Sequence, residues 1–103
     1  MLEAMTEFYG DDVVMQENLG PATAGLAANL ERERAFYGSL LSVRFHARSV
    51  AVDGDVATIN WIFEFTTADG KEVTLDEIAH QTWRDGRIVR ERFYYDTGAA
   101  AAA

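Results

Sequence analysis

The chain has 103 residues, about half of them apolar, which suits one globular domain with a real core. Its net charge of −8 argues against a nucleic-acid binder, whose surface must be basic, and disfavours binding to anionic membranes. There is no cysteine and no apolar run near the ~20 residues of a membrane span, so thiol chemistry, disulfides and a transmembrane helix are excluded and a cytoplasmic protein is expected.

The first forty residues predict a helix, a strand and a second helix. Leu2–Tyr9 has apolar residues at helical spacing, and Met1–Gly10 has no basic residue, unlike a signal peptide. Val13–Glu17 reads as a short strand that Gly20-Pro21 ends, and Gly25 opens a helix from Leu26 to about Leu40. The predicted core stripe of this helix is Leu26, Leu30, Tyr37 and Leu41. Its predicted solvated side is Glu31, Arg32, Glu33 and Arg34.

Three Asp-Gly pairs punctuate the rest of the chain at even spacing. They are Asp53-Gly54, Asp69-Gly70 and Asp85-Gly86, each between runs rich in β-branched and aromatic residues. Asp-Gly between such runs is a strong hairpin signal, because Gly adopts a positive φ without steric cost. We therefore predict a four-stranded antiparallel meander from Leu41 to Asp96. With helices on one face of the sheet, the fold class is α+β.

The turns also predict which side chains share a face. If each Asp-Gly belongs to a three-residue loop with a bulge, the aromatic residues collect on the face that packs on the helices. The predicted inner face contains Phe45, Ala47, Ile59, Trp61, Phe63, Phe65, Leu75, Ala79, Gln81, Glu91 and Phe93. The predicted outer face pairs Arg44 with Glu64, His46 with Ile62, Arg48 with Asn60, and His80 with Arg92. A two-residue register would mix polar and aromatic side chains.

Two carboxylates are candidates for chemistry. Glu77 is predicted on the inner face between Phe63 and Tyr95, where desolvation would raise its pKa towards neutrality and suit proton transfer. Alternatively, Glu77 lies near an open rim, solvated or bonded to Tyr95. Glu17 ends the first strand, where side chains face the mouth of a cavity, or else it caps the following turn.

Other polar groups predict less chemistry. Gln81 and Glu91 are expected opposite each other, and a hydrogen bond between them favours a structural role. His46 and His80 fall on the outer face without the spacing of a metal site, so no metal ligand set is expected. There is no serine in a nucleophile-elbow context and no glycine-rich phosphate loop, so we expect neither a catalytic triad nor a bound cofactor.

The chain resembles the SnoaL-like polyketide cyclase branch of the nuclear transport factor 2-like superfamily. The resemblance lies in Phe8–Asn18 (FYGDDVVMQEN), in Pro21 and Gly25 ahead of the second helix, and in Trp83–Val89 (WRDGRIV) with Tyr95-Asp96. It covers nearly all of Leu2–Asp96. It implies a cone-shaped α+β fold in which a curved sheet wraps on helices, as in ketosteroid isomerases and limonene epoxide hydrolase.

The resemblance also implies roles for single residues. Glu17 matches the carboxylate that acts as general base in the ketosteroid isomerases. The position of the family's second pocket acid holds Ala79, which cannot donate a hydrogen bond to an oxyanion. Glu77, two residues away on the same face, could replace it. The first helix is shorter than in the family.

Two functions follow as hypotheses. The first is an enzyme that transfers a proton on a small, apolar, cyclic substrate, with Glu17 as base and Glu77 or Tyr95 as hydrogen-bond donor. The second is a binding or accessory protein with the same cavity and no chemistry. The predicted pocket lining is Tyr9, Met15, Trp61, Phe63, Ala79, Gln81, Phe93 and Tyr95.

A homodimer and a single domain are also expected. The outer sheet face places Ile62 and Ile78 beside Tyr94 and His80, with charged residues around them, as in many interfaces, and the family dimerises through this side. The domain is expected to span residues 1–98. The alanine run 99–103 is expected to be a tail outside the fold.

Overall fold

The computed structural model describes residues 2–98, which form two helices and six strands and confirm the α+β class. The elements are α1 (Leu2–Phe8), β1 (Tyr9–Glu17), β2 (Thr23–Ala24), α2 (Leu26–Gly38), β3 (Ser42–Asp53), β4 (Val56–Thr66), β5 (Glu72–Arg84) and β6 (Arg87–Tyr94). The alanine tail 99–103 lies outside the described residues. Neither helix within residues 2–98 is long and apolar enough to cross a membrane.

The strands form one sheet in the order β2-β1-β6-β5-β4-β3. The predicted meander is β3 to β6, and β1 runs parallel to β6 at its edge. The strand β1 begins at Tyr9, four residues earlier than predicted, and is irregular between Tyr9 and Val14. The two-residue strand β2, which the sequence did not predict, completes the sheet beside β1.

The helix α2 begins where predicted, after Gly25, whose φ of 95° is costly for other residues. The buried side chain of Asn29 stabilises this end of the helix. Its Nδ2 donates hydrogen bonds to the carbonyl oxygens of Thr23 and Gly25 at 2.9 and 2.8 Å. The helix ends at Gly38, so Leu41 lies outside it. The prediction of Leu41 as a core residue is wrong: it is 68% exposed.

The predicted sorting of the two sheet faces is confirmed, although two turns differ from the expected loops. Asp53 pairs with Val56 and Arg84 with Arg87, so each hairpin closes through a two-residue turn. In the second of these turns Asp85 and Gly86 have φ of 52° and 77°, as in a type I′ turn. The extra residue of the predicted loop lies inside a strand instead.

Two bulges restore the register. One separates Ala47 from Ser49, and the other separates Thr82 from Trp83. Since a one-residue slip moves every side chain to the opposite face, each bulge returns the aromatic residues to the inner face. The bulge puts Ser49, not Arg48, opposite Asn60.

The β4–β5 pairing differs from the prediction by two residues. Trp61 pairs with Glu77 and Ile59 with Ala79, so Trp61 takes the place opposite Glu77 that was predicted for Phe63. The face of each side chain is unchanged, because the shift is an even number. The hairpin closes with the bond from the Thr67 amide to the Lys71 carbonyl, which leaves a three-residue loop.

The core is divided in two. One cluster joins α1, β1 and β6 through Met5, Val13, Met15 and Ile88. The other lies on the meander and contains Phe63, Phe65, Val73 and Leu75, with Tyr37 of α2 packed against it.

Candidate functional site

A cavity of about 610 Å³ is enclosed by the two helices and the inner face of the sheet. Eleven of its twenty-three lining residues are Phe, Tyr or Trp, and the polar side chains among them are few. A concave, mostly apolar cavity with a few convergent polar groups is the usual form of a small-molecule site. This cavity is therefore the candidate functional site.

Seven of the eight residues predicted to line a pocket do line this cavity. They are Tyr9, Met15, Trp61, Phe63, Gln81, Phe93 and Tyr95. Ala79 does not, and its prediction as a lining residue is wrong. Ala79 is fully buried, and its neighbours on the adjacent strands are Ile59 and Phe93.

Glu77, on β5, lies in the wall of the cavity, and its neighbour on the adjacent strand β4 is Trp61. The residue is only 9% exposed, and its carboxylate forms no hydrogen bond or ion pair with another residue in 2–98. Burial, and then the nearby carboxylates Glu17, Glu91 and Glu33, raises the pKa of Glu77 to about 7. It is thus a carboxyl group able to gain or lose a proton near neutral pH.

Glu17, at the end of β1, also lines the cavity, but from a more open position. Its side chain is 50% exposed, and its Oε2 lies 3.9 Å from Nη1 of Arg32. The burial expected for a base at this position is therefore absent. Burial and the charge of Glu17 together raise the pKa of the Tyr95 hydroxyl, which also faces the cavity.

A hydrogen-bonded chain of polar groups lies deeper, around Glu91 on β6. The predicted Gln81–Glu91 bond is present, with Gln81 Nε2 donating to Glu91 Oε2 at 2.6 Å. The Tyr9 hydroxyl donates to the other carboxylate oxygen, and Trp83 Nε1 donates to Gln81 Oε1 at 3.1 Å. Burial raises the pKa of Glu91, while its two hydrogen bonds act in the opposite direction.

Two charged residues of the lining were predicted to lie elsewhere. Arg32 and Glu33 were assigned to the solvated side of α2, yet both line the cavity, and the side chain of Glu33 is only 15% exposed. The two are paired at 3.2 Å, and burial raises the pKa of Glu33. The signal was in the sequence: Glu33 stands three residues after Leu30 and four before Tyr37, inside the helical core stripe.

No three His, Asp or Glu side chains within residues 2–98 are grouped to hold an ion. His46 pairs with Ile62 and His80 with Arg92, on the outer face of the sheet. The ionisable groups that line the cavity are carboxyl groups, tyrosine hydroxyls and one guanidinium.

Comparison with known proteins places these features in a family. The SnoaL-like domain model matches residues 1–91 of the sequence. No curated protein matches the chain.

Several solved structures have the same fold. A protein from Jannaschia sp. CCS1 assigned as a SnoaL-like polyketide cyclase superposes with a TM-score of 0.90 at 14% identity, covering 99% of this chain and 76% of that one. TerC, co-crystallised with polyporic acid, gives a TM-score of 0.87 at 25% identity, over 98% of this chain and 83% of that one. An LEH-like epoxide hydrolase of M. tuberculosis gives a TM-score of 0.83 at 17% identity, over 98% of this chain and 74% of that one. The expected nuclear transport factor 2-like fold is confirmed.

Proposed function

Because this chain belongs to the SnoaL-like domain family, we propose that it is a proton-transfer enzyme acting on a small cyclic substrate. The observation that supports this most is Glu77, a buried, unpaired carboxyl group in an aromatic cavity, with its pKa raised to about 7. A general base works best when its pKa lies near the pH at which it operates. No other carboxyl group of the cavity combines burial with the absence of a partner.

The substrate class follows from the cavity walls. Flat aromatic side chains and about 610 Å³ of space favour a cyclic, mainly apolar molecule. TerC, which is 25% identical to this chain and was co-crystallised with polyporic acid, supports a small organic compound as the ligand.

We assign the base role to Glu77 and a supporting role to Glu17. The resemblance favoured Glu17, but its carboxylate is half exposed and lies near Arg32, so its charge is already stabilised by water and a cation. At the more open side of the cavity it contributes negative charge near Tyr95. Tyr37 and Tyr95 face the same cavity with raised pKa values, so their hydroxyls are protonated at neutral pH and can donate to a developing oxyanion.

The direct test is isotope exchange on a small cyclic ketone. We expect the protein to accelerate exchange of the α-protons of 2-tetralone with deuterium oxide, followed by nuclear magnetic resonance, with heat-denatured protein as the control. Binding of 2-tetralone without exchange above the background would contradict catalysis. It would support the second candidate, a non-catalytic small-molecule binding or accessory protein, which the same apolar cavity favours.

We also propose a homodimer through the outer sheet face formed by Ile62, Ile78, His80 and Tyr94. Tyr94 stays exposed with the Arg92 guanidinium stacked on its ring at 4.7 Å, and the Arg44–Glu64 pair lies on the same face. Light scattering is expected to give twice the 11.5 kDa mass of the chain. Ile78→Arg should shift the mass to that of a monomer, whereas Val52→Arg, at an exposed site on β3, should not. A wild-type monomer at micromolar concentration would contradict the interface.

The cytoplasmic location stays a prediction, which cell fractionation would check.

A further inference from the structure

The charges that line the cavity do not balance. Four carboxylates, Glu17, Glu33, Glu77 and Glu91, face it together with one basic side chain, Arg32. The guanidinium of Arg32 forms an ion pair with Glu33, with 3.2 Å between Nη2 and Oε1. Its Nη1 lies 3.9 Å from Oε2 of Glu17. Glu91 is held by the hydrogen bonds from Tyr9 and Gln81. Within residues 2–98, Glu77 is left as a buried acidic group with no ion pair or side-chain hydrogen bond.

The surroundings of Glu77 are aromatic. Trp61 is its neighbour on β4, and the ring of Phe45 lies 6.1 Å from that of Trp61 in an edge-on arrangement. Phe45 in turn contacts Phe63 at 4.4 Å between ring centroids. Aromatic faces attract cations through the negative potential of their π systems, most strongly for tryptophan. A carboxylate beside such faces forms a receptor for an organic cation.

We propose that the ligand of this cavity is a small organic cation, an amine or quaternary ammonium compound with an apolar ring. Its ammonium group would lie between the Glu77 carboxylate and the face of Trp61, with the ring along the remaining aromatic side chains. This inference rests on the proposed function, whose substrate class it narrows. An anionic ligand would instead meet four carboxyl groups and one basic side chain.

The test compares three probes of similar size. Phenyltrimethylammonium carries a permanent positive charge, tert-butylbenzene is its neutral isostere, and benzoate is an anion. Binding is followed at pH 8 by the fluorescence of Trp61 and Trp83, which both line the cavity. We expect the cation to bind at least about tenfold more tightly than the neutral isostere, in line with a desolvated cation–π contact and one opposite charge. Benzoate should bind least.

Variants then assign the preference to Glu77. Glu77→Gln should bind tert-butylbenzene as the wild type does and should lose most of the preference for the cation. Glu72→Gln removes the same charge from an exposed position on the same strand and should keep that preference. Circular dichroism verifies the fold of both variants. Should Glu77→Gln not fold, the wild-type comparison of cation and isostere still decides.

The pH dependence gives an independent readout, because phenyltrimethylammonium itself does not titrate. Its affinity should increase as the pH rises through about 7, where Glu77 ionises. The titratable or charged groups that share the cavity with Glu77 are Tyr9, Glu17, Arg32, Glu33, Tyr37, Glu91 and Tyr95. Glu77→Gln distinguishes its own contribution from theirs, since only their part of the pH dependence would remain.

The outcomes separate this inference from the proposed function. Equal affinity for cation and isostere, or a preference that survives in Glu77→Gln, overturns the cation site even if 2-tetralone exchanges its protons. A cation preference without any proton exchange supports the cation site and identifies the protein as a binding protein.

Discussion

Glu77→Gln is expected to lower the rate of 2-tetralone proton exchange by about 10²–10⁴-fold, the usual contribution of a positioned general base. Glutamine keeps the shape of the side chain but cannot accept the proton. In the wild type the rate should rise about tenfold per pH unit below about 7 and level off above it, because only the ionised carboxylate acts as base. Glu72→Gln should match the wild type.

Glu17→Gln tests the competing assignment, in which Glu17 is the general base. If Glu17 only contributes charge at the more open side of the cavity, its loss should reduce the rate by less than about tenfold and leave the pH profile in place. A loss in Glu17→Gln as large as that expected for Glu77→Gln, with Glu77→Gln nearly unaffected, would reverse the two roles.

Glu77→Gln should also make the protein more resistant to unfolding at alkaline pH. The folded state raises the pKa of Glu77 from 4.5 to about 7, so the folded protein holds this proton more tightly than the unfolded chain does. The contribution of Glu77 to the free energy of unfolding is therefore best below pH 4.5 and falls as the pH rises through 7. The fall amounts to about 3 kcal/mol, and Glu77→Gln should remove most of it. Urea unfolding at pH 5 and pH 8 measures this. A variant that is inactive and also less stable at pH 8 would indicate a structural role.

Phe63→Ala is expected to lower the free energy of unfolding by about 3–5 kcal/mol, the usual cost of removing a buried aromatic ring. The ring of Phe63 is buried at the centre of the meander cluster. Its centroid lies 4.4 Å from that of Phe45 and 4.8 Å from that of Phe65, and it stacks on Tyr37 of α2. Its loss therefore loosens both the sheet and the attachment of the second helix.

Urea or thermal unfolding measures this loss, with Val52→Ala as the control. Val52 is 70% exposed on the edge strand β3, so its truncation should change stability by no more than about 0.5 kcal/mol. Phe63→Leu, which retains much of the volume, should lose less than Phe63→Ala and stay folded. Equal stability of Phe63→Ala and Val52→Ala would show that the aromatic cluster does not hold the domain together.

The sequence alone determined the fold class, the meander and the face of nearly every strand residue. Alternation along a strand is local and Asp-Gly turns are explicit, so both can be read from residue order. It also brought Gln81 opposite Glu91 and most of the predicted pocket residues together, because side chains on one face of a sheet are neighbours whatever the loops do.

Only the tertiary structure decided the finer pairing and the electrostatics of the site. The positions of the two bulges depend on sheet twist and packing. The one-residue shifts in strand register at Arg48 and between Thr82 and Trp83 could therefore not be predicted from the turns. Glu33 joined the cavity because α2 packs with that stripe inward, although it stands in a charged run. Glu77 has no charged partner, whereas the carboxylate of Glu17 lies 3.9 Å from the guanidinium of Arg32. That difference depends on how α2, which carries Arg32, packs against the sheet. A pKa is set by burial and by charges distant in sequence, which exist only once the chain has folded.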